Sequence, residues 1–251
     1  MNNVSRPTYI ASCSFGKDSI ATILLALEHN EPLDKVVFSE VMFDIENNIS
    51  GEIPEHIEWI YNEAMPRLEQ MGVSVDVVRS EFDYLYYFHK KRGNKLSGFP
   101  IGGKCIINDR CKVRPIHKYR KQYPNRIEYI GIAIDEPTRL SRLKDKQISL
   151  LAKYNYTEKM AYDLAKMYNL LSPLYRTGTR GGCWFCPNQS YYSFALLRRN
   201  YPNLWERLIK LKNTPNLISY GFKYGETIEQ VAKKMDYIDR QEELQLKLFD
   251  I

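Results

Sequence analysis

The chain has 251 residues, 44% apolar and 26% charged, with a formal net charge of +6. That is enough to bury one large core, or a core with a smaller accessory region. No run of about 18 apolar residues occurs, and the opening Met1-Asn2-Asn3-Val4-Ser5-Arg6 has no apolar signal core, so the expectation is a cytoplasmic protein without membrane association.

In chain order, Thr8-Tyr9-Ile10-Ala11 reads as a buried strand, and Ile20, Ile23, Leu24, Leu25 and Leu27 as the packed face of a helix. Between them lies Ser14-Phe15-Gly16-Lys17-Asp18-Ser19. A loop in that position offers backbone N–H groups and the positive end of a helix, which together stabilise an anion. Lys17 adds a full charge, and Ser14 and Ser19 add hydroxyl donors. The alternative is an ordinary strand-to-helix turn with a capping serine. A Walker loop is excluded, because Asp18 separates Gly16-Lys17 from Ser19 and Ala11 stands where an earlier glycine is needed.

Lys35 to Met42 reads as a second strand, Pro54 to Met71 as an amphipathic helix, and Val73 to Val78 as a third strand. The βαβαβ alternation predicts a doubly wound parallel α/β sheet. Residues 81 to 126 interrupt it with Gly93, Gly98, Gly102 and Gly103; Ile127 to Ile134 resumes as a strand, and Thr157 to Tyr168 as a helix capped by Thr157. From Gln189 the chain reads as helical, which predicts a domain over 1–188 and a helical region over 189–251. Ligands of open parallel sheets bind beyond the carboxyl ends of the strands. That rule collects the Ser14–Ser19 loop, Asp44 and Asp135-Glu136 at one rim.

Between His89 and Arg126 there are twelve Lys or Arg (90, 91, 92, 95, 104, 110, 112, 114, 118, 120, 121 and 126) against one acid, Asp109, with Tyr84, Tyr86, Tyr87, Phe88 and Phe99 beside or within the stretch. This mixture suits a nucleotide or nucleic-acid strand; the alternative is a solvated basic face. Four of the five cysteines form two pairs, Cys105/Cys111 and Cys183/Cys186. Such pairs can converge on tetrahedral zinc or an iron–sulfur cluster, or stay unligated. Arg110, Lys112 and Arg180 beside them favour thiolates. Cys13 reads as a small packed residue, and His29, His56, His89 and His117 show no ligand spacing.

The Ser14–Ser19 loop resembles the PP-loop, Ser-Gly-Gly-Lys-Asp-Ser, of the ATP pyrophosphatase superfamily, with Phe15 in the place of the first glycine. Cys111-Lys112-Val113-Arg114-Pro115-Ile116 and Gly182-Cys183-Trp184-Phe185-Cys186-Pro187 look like blocks of its phosphoadenosine phosphosulfate reductase-like branch. Phe43-Asp44 with Pro54-Glu55, the block Gly131 to Arg139 with Pro137 where serine is common, and Leu174-Tyr175 with Arg180 match the same pattern, so that the resemblance runs from residue 8 to 190.

The resemblance implies a Rossmann-like PP-loop ATPase fold with a cysteine-rich insertion, and AMP-forming cleavage of ATP with magnesium. It implies nucleotide contacts from Ser12, Ser14, Phe15, Gly16, Lys17, Asp18, Ser19, Asp44, Gly131, Asp135, Glu136 and Arg139, of which Lys17 and Asp18 are catalytic. It also implies a 4Fe–4S cluster on Cys105, Cys111, Cys183 and Cys186, serving sulfur transfer to DNA or RNA from a donor the sequence does not name. Asp44 as a turn cap and Arg139 as a surface residue are the competing readings. Two other functions stay open. One is reduction of adenylyl sulfate or its 3′-phosphorylated form, although no cysteine follows Cys186 to act as nucleophile. The other is a binding module: Gln245-Leu246-Lys247-Leu248-Phe249 resembles a sliding-clamp docking peptide, with Gln245, Leu246, Leu248 and Phe249 as its contacts, unless those leucines pack a terminal helix on the core.

Overall fold

The apolar segment after Arg6 forms strand β1 (Thr8–Ser12), and helix α1 (Lys17–Glu28) follows it. The computed structural model describes residues 6–100, 105–176 and 181–249, with the backbone alone for 243–249. The chain continues through β2 (Lys35–Glu40), β3 (Met42–Asp44), β4 (Ile49–Ser50), α2 (Pro54–Trp59), a π-helical turn (Ile60–Ala64), α3 (Met65–Gln70) and β5 (Val75–Arg79). Next come α4 (Tyr84–His89), β6 (Lys91–Arg92), β7 (Lys95–Gly98), a second π-helical turn (Asn108–Val113), α5 (Arg114–Arg120) and β8 (Arg126–Tyr129). The remainder is α6 (Pro137–Leu140), β9 (Gln147–Ile148), α7 (Leu150–Lys153), α8 (Glu158–Met167), a 3₁₀ turn (Pro173–Arg176), α9 (Tyr191–Asn200), α10 (Pro202–Lys212), β10 (Leu217–Ser219) and α11 (Ile228–Phe249).

Two units emerge. The first is Met1–Glu40, Pro54–Ser80 and Lys112–Thr177; the second is Val41–Ile53, Glu81–Cys111 and Gly178–Ile251. This division differs from the boundary after residue 188 expected above, because the segments 41–53 and 81–111 fold with the C-terminal part.

The first unit is built on a five-stranded sheet of order β5-β2-β1-β8-β9, parallel throughout. Side chains alternate across a strand, and both faces here are apolar. Ala11, Val36 and Phe38 join the core of α1, α3, α7 and α8, while Ile10 and Val37 pack under Tyr119 of α5. Helices on both faces make this a doubly wound, Rossmann-like α/β fold. Helix α1 buries Ser19, Ile20, Ala21, Thr22, Ile23, Leu24, Leu25 and Ala26, as a helix apolar nearly all round must. Helix α8 starts at Thr157, whose hydroxyl accepts from the Met160 N–H at 3.3 Å, and turns Ala161, Leu164 and Ala165 inward.

Three expected elements differ. The segment 35–42 breaks after Glu40, because Met42–Asp44 pairs antiparallel with Ile49–Ser50. The helix from Pro54 passes through a π turn before Pro66, whose missing N–H and bulky ring rule out a regular bond to the turn below. The strand from Ile127 ends at Tyr129, since Gly131 leaves the sheet to lie against α1.

In the second unit β10 pairs parallel with β7, and β7 antiparallel with β6. Phe43, Tyr84, Phe88, Phe99, Trp184, Phe185, Phe194 and Phe222 form its aromatic interior, all buried.

Candidate functional site

In the first unit the chain runs outward from β1 to β2 and β5 on one side, and from β8 to β9 on the other. The order therefore reverses between β1 and β8, the switch point at which open α/β sheets leave a crevice. The loop after β1, ending in Gly16, and the segment Ile130–Glu136 after β8 both sit at this point.

Phe15 holds φ 57, a left-handed conformation that glycine adopts freely and an L side chain does not. Its ring is fully buried, edge-on to Phe38 at 5.2 Å and to Trp59 at 6.3 Å. Burial of that ring offsets the backbone strain, and the ring points into the core rather than over the loop. Gly16 caps α1 in extended conformation with no side-chain cap bond. Ser19 organises the turn: its hydroxyl donates to the Gly16 carbonyl at 2.9 Å and accepts the Ser14 N–H at 3.2 Å.

Two residues that the sequence did not single out for the site support it. His56, 3% exposed, bonds the Ser14 backbone and sits 2.9 Å from the Ser172 hydroxyl through Nδ1. Burial pulls its pKa down to about 4, so it is neutral. The Lys17 N–H, left without an intrahelical acceptor, donates to the Tyr175 hydroxyl at 3.0 Å. No spacing in the sequence links residues 56, 172 and 175 to the loop; tertiary packing does.

The Lys17 ammonium lies 2.7 Å from Asp18 and 3.2 Å from Glu158. Burial works against its charge, but Asp18 and Glu158 outweigh burial and raise its pKa. Asp18 is pushed up as well, first by burial and then by Glu158 and Glu136, against the pull of Lys17. Among the described residues no three His, Cys, Asp or Glu stand where they could hold a metal unaided. Magnesium bound chiefly by phosphates needs only one or two carboxylates, so the hard oxygen donors here fit it.

Gly131 is packed rather than merely near: a Cβ there would come within 2.9 Å of the Asp18 carbonyl carbon. Asp135 accepts the Glu158 N–H at 3.1 Å, Glu136 accepts the Ala133 N–H at 3.2 Å, and the exposed Arg139 pairs with Glu136. The Ser12 hydroxyl is taken by Arg120 at 2.8 Å. Arg120 is only 8% exposed and pairs with Glu128 at 2.9 Å, so one member of the basic stretch is an interior ion pair. Burial raises the Cys13 thiol to about 11, which leaves it a packed and inert residue.

In the second unit, Asp44 is 6% exposed and accepts from the Asn47 N–H at 3.1 Å and the Asn47 side-chain amide at 2.8 Å, capping its turn. Cys105, Cys111, Cys183 and Cys186 all belong to this unit, and none is in a disulfide. Trp184 and Phe185, the residues between the last pair, are buried and fix that turn in the aromatic interior, Trp184 donating from its indole to the Ser50 carbonyl at 2.9 Å. The Tyr84 phenol is raised by burial and then by Cys105, Cys183 and Cys186, so three of the thiols act on one group. Four thiols are by chemistry a donor set for an iron–sulfur cluster or zinc, but among the described residues no three of them stand where they could hold a metal. Arg180 lies outside the described residues, as do the side chains of Gln245, Leu246, Leu248 and Phe249, whose backbone continues α11. No helix among the described residues is long and apolar enough to cross a membrane.

No family model matches the chain, and no curated protein matches it. Among solved structures it is similar to the U34-tRNA thiolase NcsA from Methanococcus maripaludis with its 4Fe–4S cluster, at 15% identity and a TM-score of 0.42, over 93% of this chain and 83% of that one. The fold class rests on the sheet order and the loop at its switch point.

Proposed function

We propose that the chain is an ATP-dependent, AMP-forming enzyme that adenylates a nucleic-acid acceptor, releases pyrophosphate and so prepares the acceptor for sulfur transfer. The observation that carries this reading is the Ser14–Ser19 turn at the start of α1, with Lys17 in the first helical turn and carboxylates beside it. Backbone amides and the ammonium of Lys17 hold the phosphates. As the acceptor oxygen bonds to the α phosphorus, the bond to the bridging oxygen breaks and pyrophosphate leaves with the electron pair. Fixed donors aimed at that developing charge are the main lever for such a step. Asp18 orients Lys17 and carries a carboxylate for magnesium, which supplies further charge neutralisation when bound. Tyr175 and His56 keep the turn in shape.

Cys105, Cys111, Cys183 and Cys186 would hold the cluster, whose role when bound is to carry or deliver sulfur. Docking of Gln245, Leu246, Leu248 and Phe249 on a sliding clamp rests on the sequence of the tail alone. Replacing Lys17 by alanine should lower acceptor-dependent pyrophosphate release at least about 100-fold, read by a coupled phosphate assay. Release at the wild-type rate would remove Lys17 from the mechanism.

A further inference from the structure

The second unit contains a cavity of about 330 Å³ whose floor is the β7–β10 pairing and whose wall includes Tyr87, Lys90, Arg92, Phe99, Ile218 and Ser219. The volume is at the lower end of the range of about 300–1,000 Å³ typical of small-ligand sites. The floor is rigid and closely built. Gly98 holds φ +79, and a Cβ there would meet the Ser219 carbonyl oxygen at 2.1 Å, so the two strands approach as they do only because residue 98 is glycine. Phe99 is locked edge-on between Phe88 at 5.1 Å and Phe222 at 5.4 Å.

Three properties define what the cavity takes. Ile218, 51% exposed, gives it an apolar lining, backed by the buried Tyr87 and Phe99. The Ser219 hydroxyl is buried with no hydrogen-bond partner, and a ligand edge bearing a donor or acceptor would satisfy it. The rim is cationic: Lys90 and Arg92, both exposed, line it with no acid among the lining residues. A second cavity of about 680 Å³ also touches Lys90, but it presents Asp44, Glu46, Glu81 and Asp83, the wrong sign for a phosphate.

We propose that the cavity on β7 and β10 receives one unstacked base of a single-stranded nucleic acid, its flanking phosphates held by Lys90 and Arg92. An apolar slot with one polar handle, rimmed by cations, is the chemistry by which unpaired bases are held. A duplex keeps its bases stacked and cannot fill the slot. The inference rests on the reading that the acceptor is a nucleic acid, and it adds where that acceptor is gripped.

The test is fluorescence anisotropy of the full chain with a labelled single-stranded RNA carrying 2-aminopurine, and with its DNA counterpart. Lys90→Ala with Arg92→Ala should weaken binding at least about tenfold and lower the salt slope of log K by about 1.4, two single-strand phosphates' worth. Ile218→Asp, at an exposed position, should abolish the change in 2-aminopurine emission while leaving the salt slope as it was. This pattern with either sugar supports the proposal. Affinity and slope unchanged in the double variant overturn it, as does a duplex bound as tightly as the single strand. Calorimetry of the wild type with a nonhydrolysable ATP analogue separates the two ideas. RNA binding with this pattern but no nucleotide binding leaves the base slot standing and removes the adenylation reading; nucleotide binding with RNA affinity indifferent to Lys90 and Arg92 removes the slot alone.

Discussion

At residue 15 the sequence poses a problem that only the fold answers. A phenylalanine where a left-handed glycine would serve is visible in the sequence; that its ring enters the core against Phe38 and Trp59 is not, because the φ angle and the ring direction are set by tertiary packing. Phe15→Ala is expected to cost about 3–5 kcal/mol in urea unfolding for the cavity it leaves. Phe15→Gly should be no worse, and up to about 1 kcal/mol better, because it relieves a left-handed strain that alanine keeps. An alanine variant clearly more stable than the glycine variant would mean that residue 15 is not held left-handed. His56 makes a second prediction. Its pKa falls from 6.5 to about 4 in the folded chain, so between those values the unfolded state binds the extra proton. Stability therefore rises with pH across that window and is lost as pH falls through it, by about 3 kcal/mol over the full span. Urea midpoints followed from neutral pH down to the lower value should show this slope, and His56→Gln should flatten it. An identical slope in the variant would assign it to other groups.

At the scale of elements, what the sequence made legible was what local pattern encodes. Thr8–Ala11, the helix after Lys17, Val73–Val78 and the Thr157 cap all correspond to structure, because apolar period and capping chemistry act within a few residues. The misses share a cause in contacts made far along the chain. Strand β9 is two residues long and has no pattern of its own; it exists because Glu128 and Tyr129 offer it an edge. Likewise β10 is a strand through β7. The two π turns show a middle case. Each ends two residues before a proline, Pro66 and Pro115, so the break was written in the sequence while its form was not. In the candidate site the loop residues were legible for the same reason, whereas Glu158, Tyr175 and His56 reach it only through folding.

At the scale of the whole molecule, the chain passes between its two units after residues 40, 53, 80, 111 and 177. A chain ending at residue 188, the boundary suggested by the pattern of the sequence, would lose β10 and with it the partner of β7, along with Phe194 and Phe222 from the aromatic interior. Such a truncation should bind a dye for exposed apolar surface strongly and melt without the cooperative transition of the full chain. A sharp, dye-free melt would show that the second unit closes without its last 63 residues, the 251 less 188. The pairing of β7 with β10 also sets a timetable for synthesis. All strands of the five-stranded sheet have been translated by Ile148, whereas Gly98 waits for Ser219. At ordinary elongation rates the wait is on the order of ten seconds. During it the nascent hairpin carries a bare edge, a template for neighbouring chains, and the exposed Lys90, Lys91, Arg92 and Lys95 are the kind of charge that discourages such pairing.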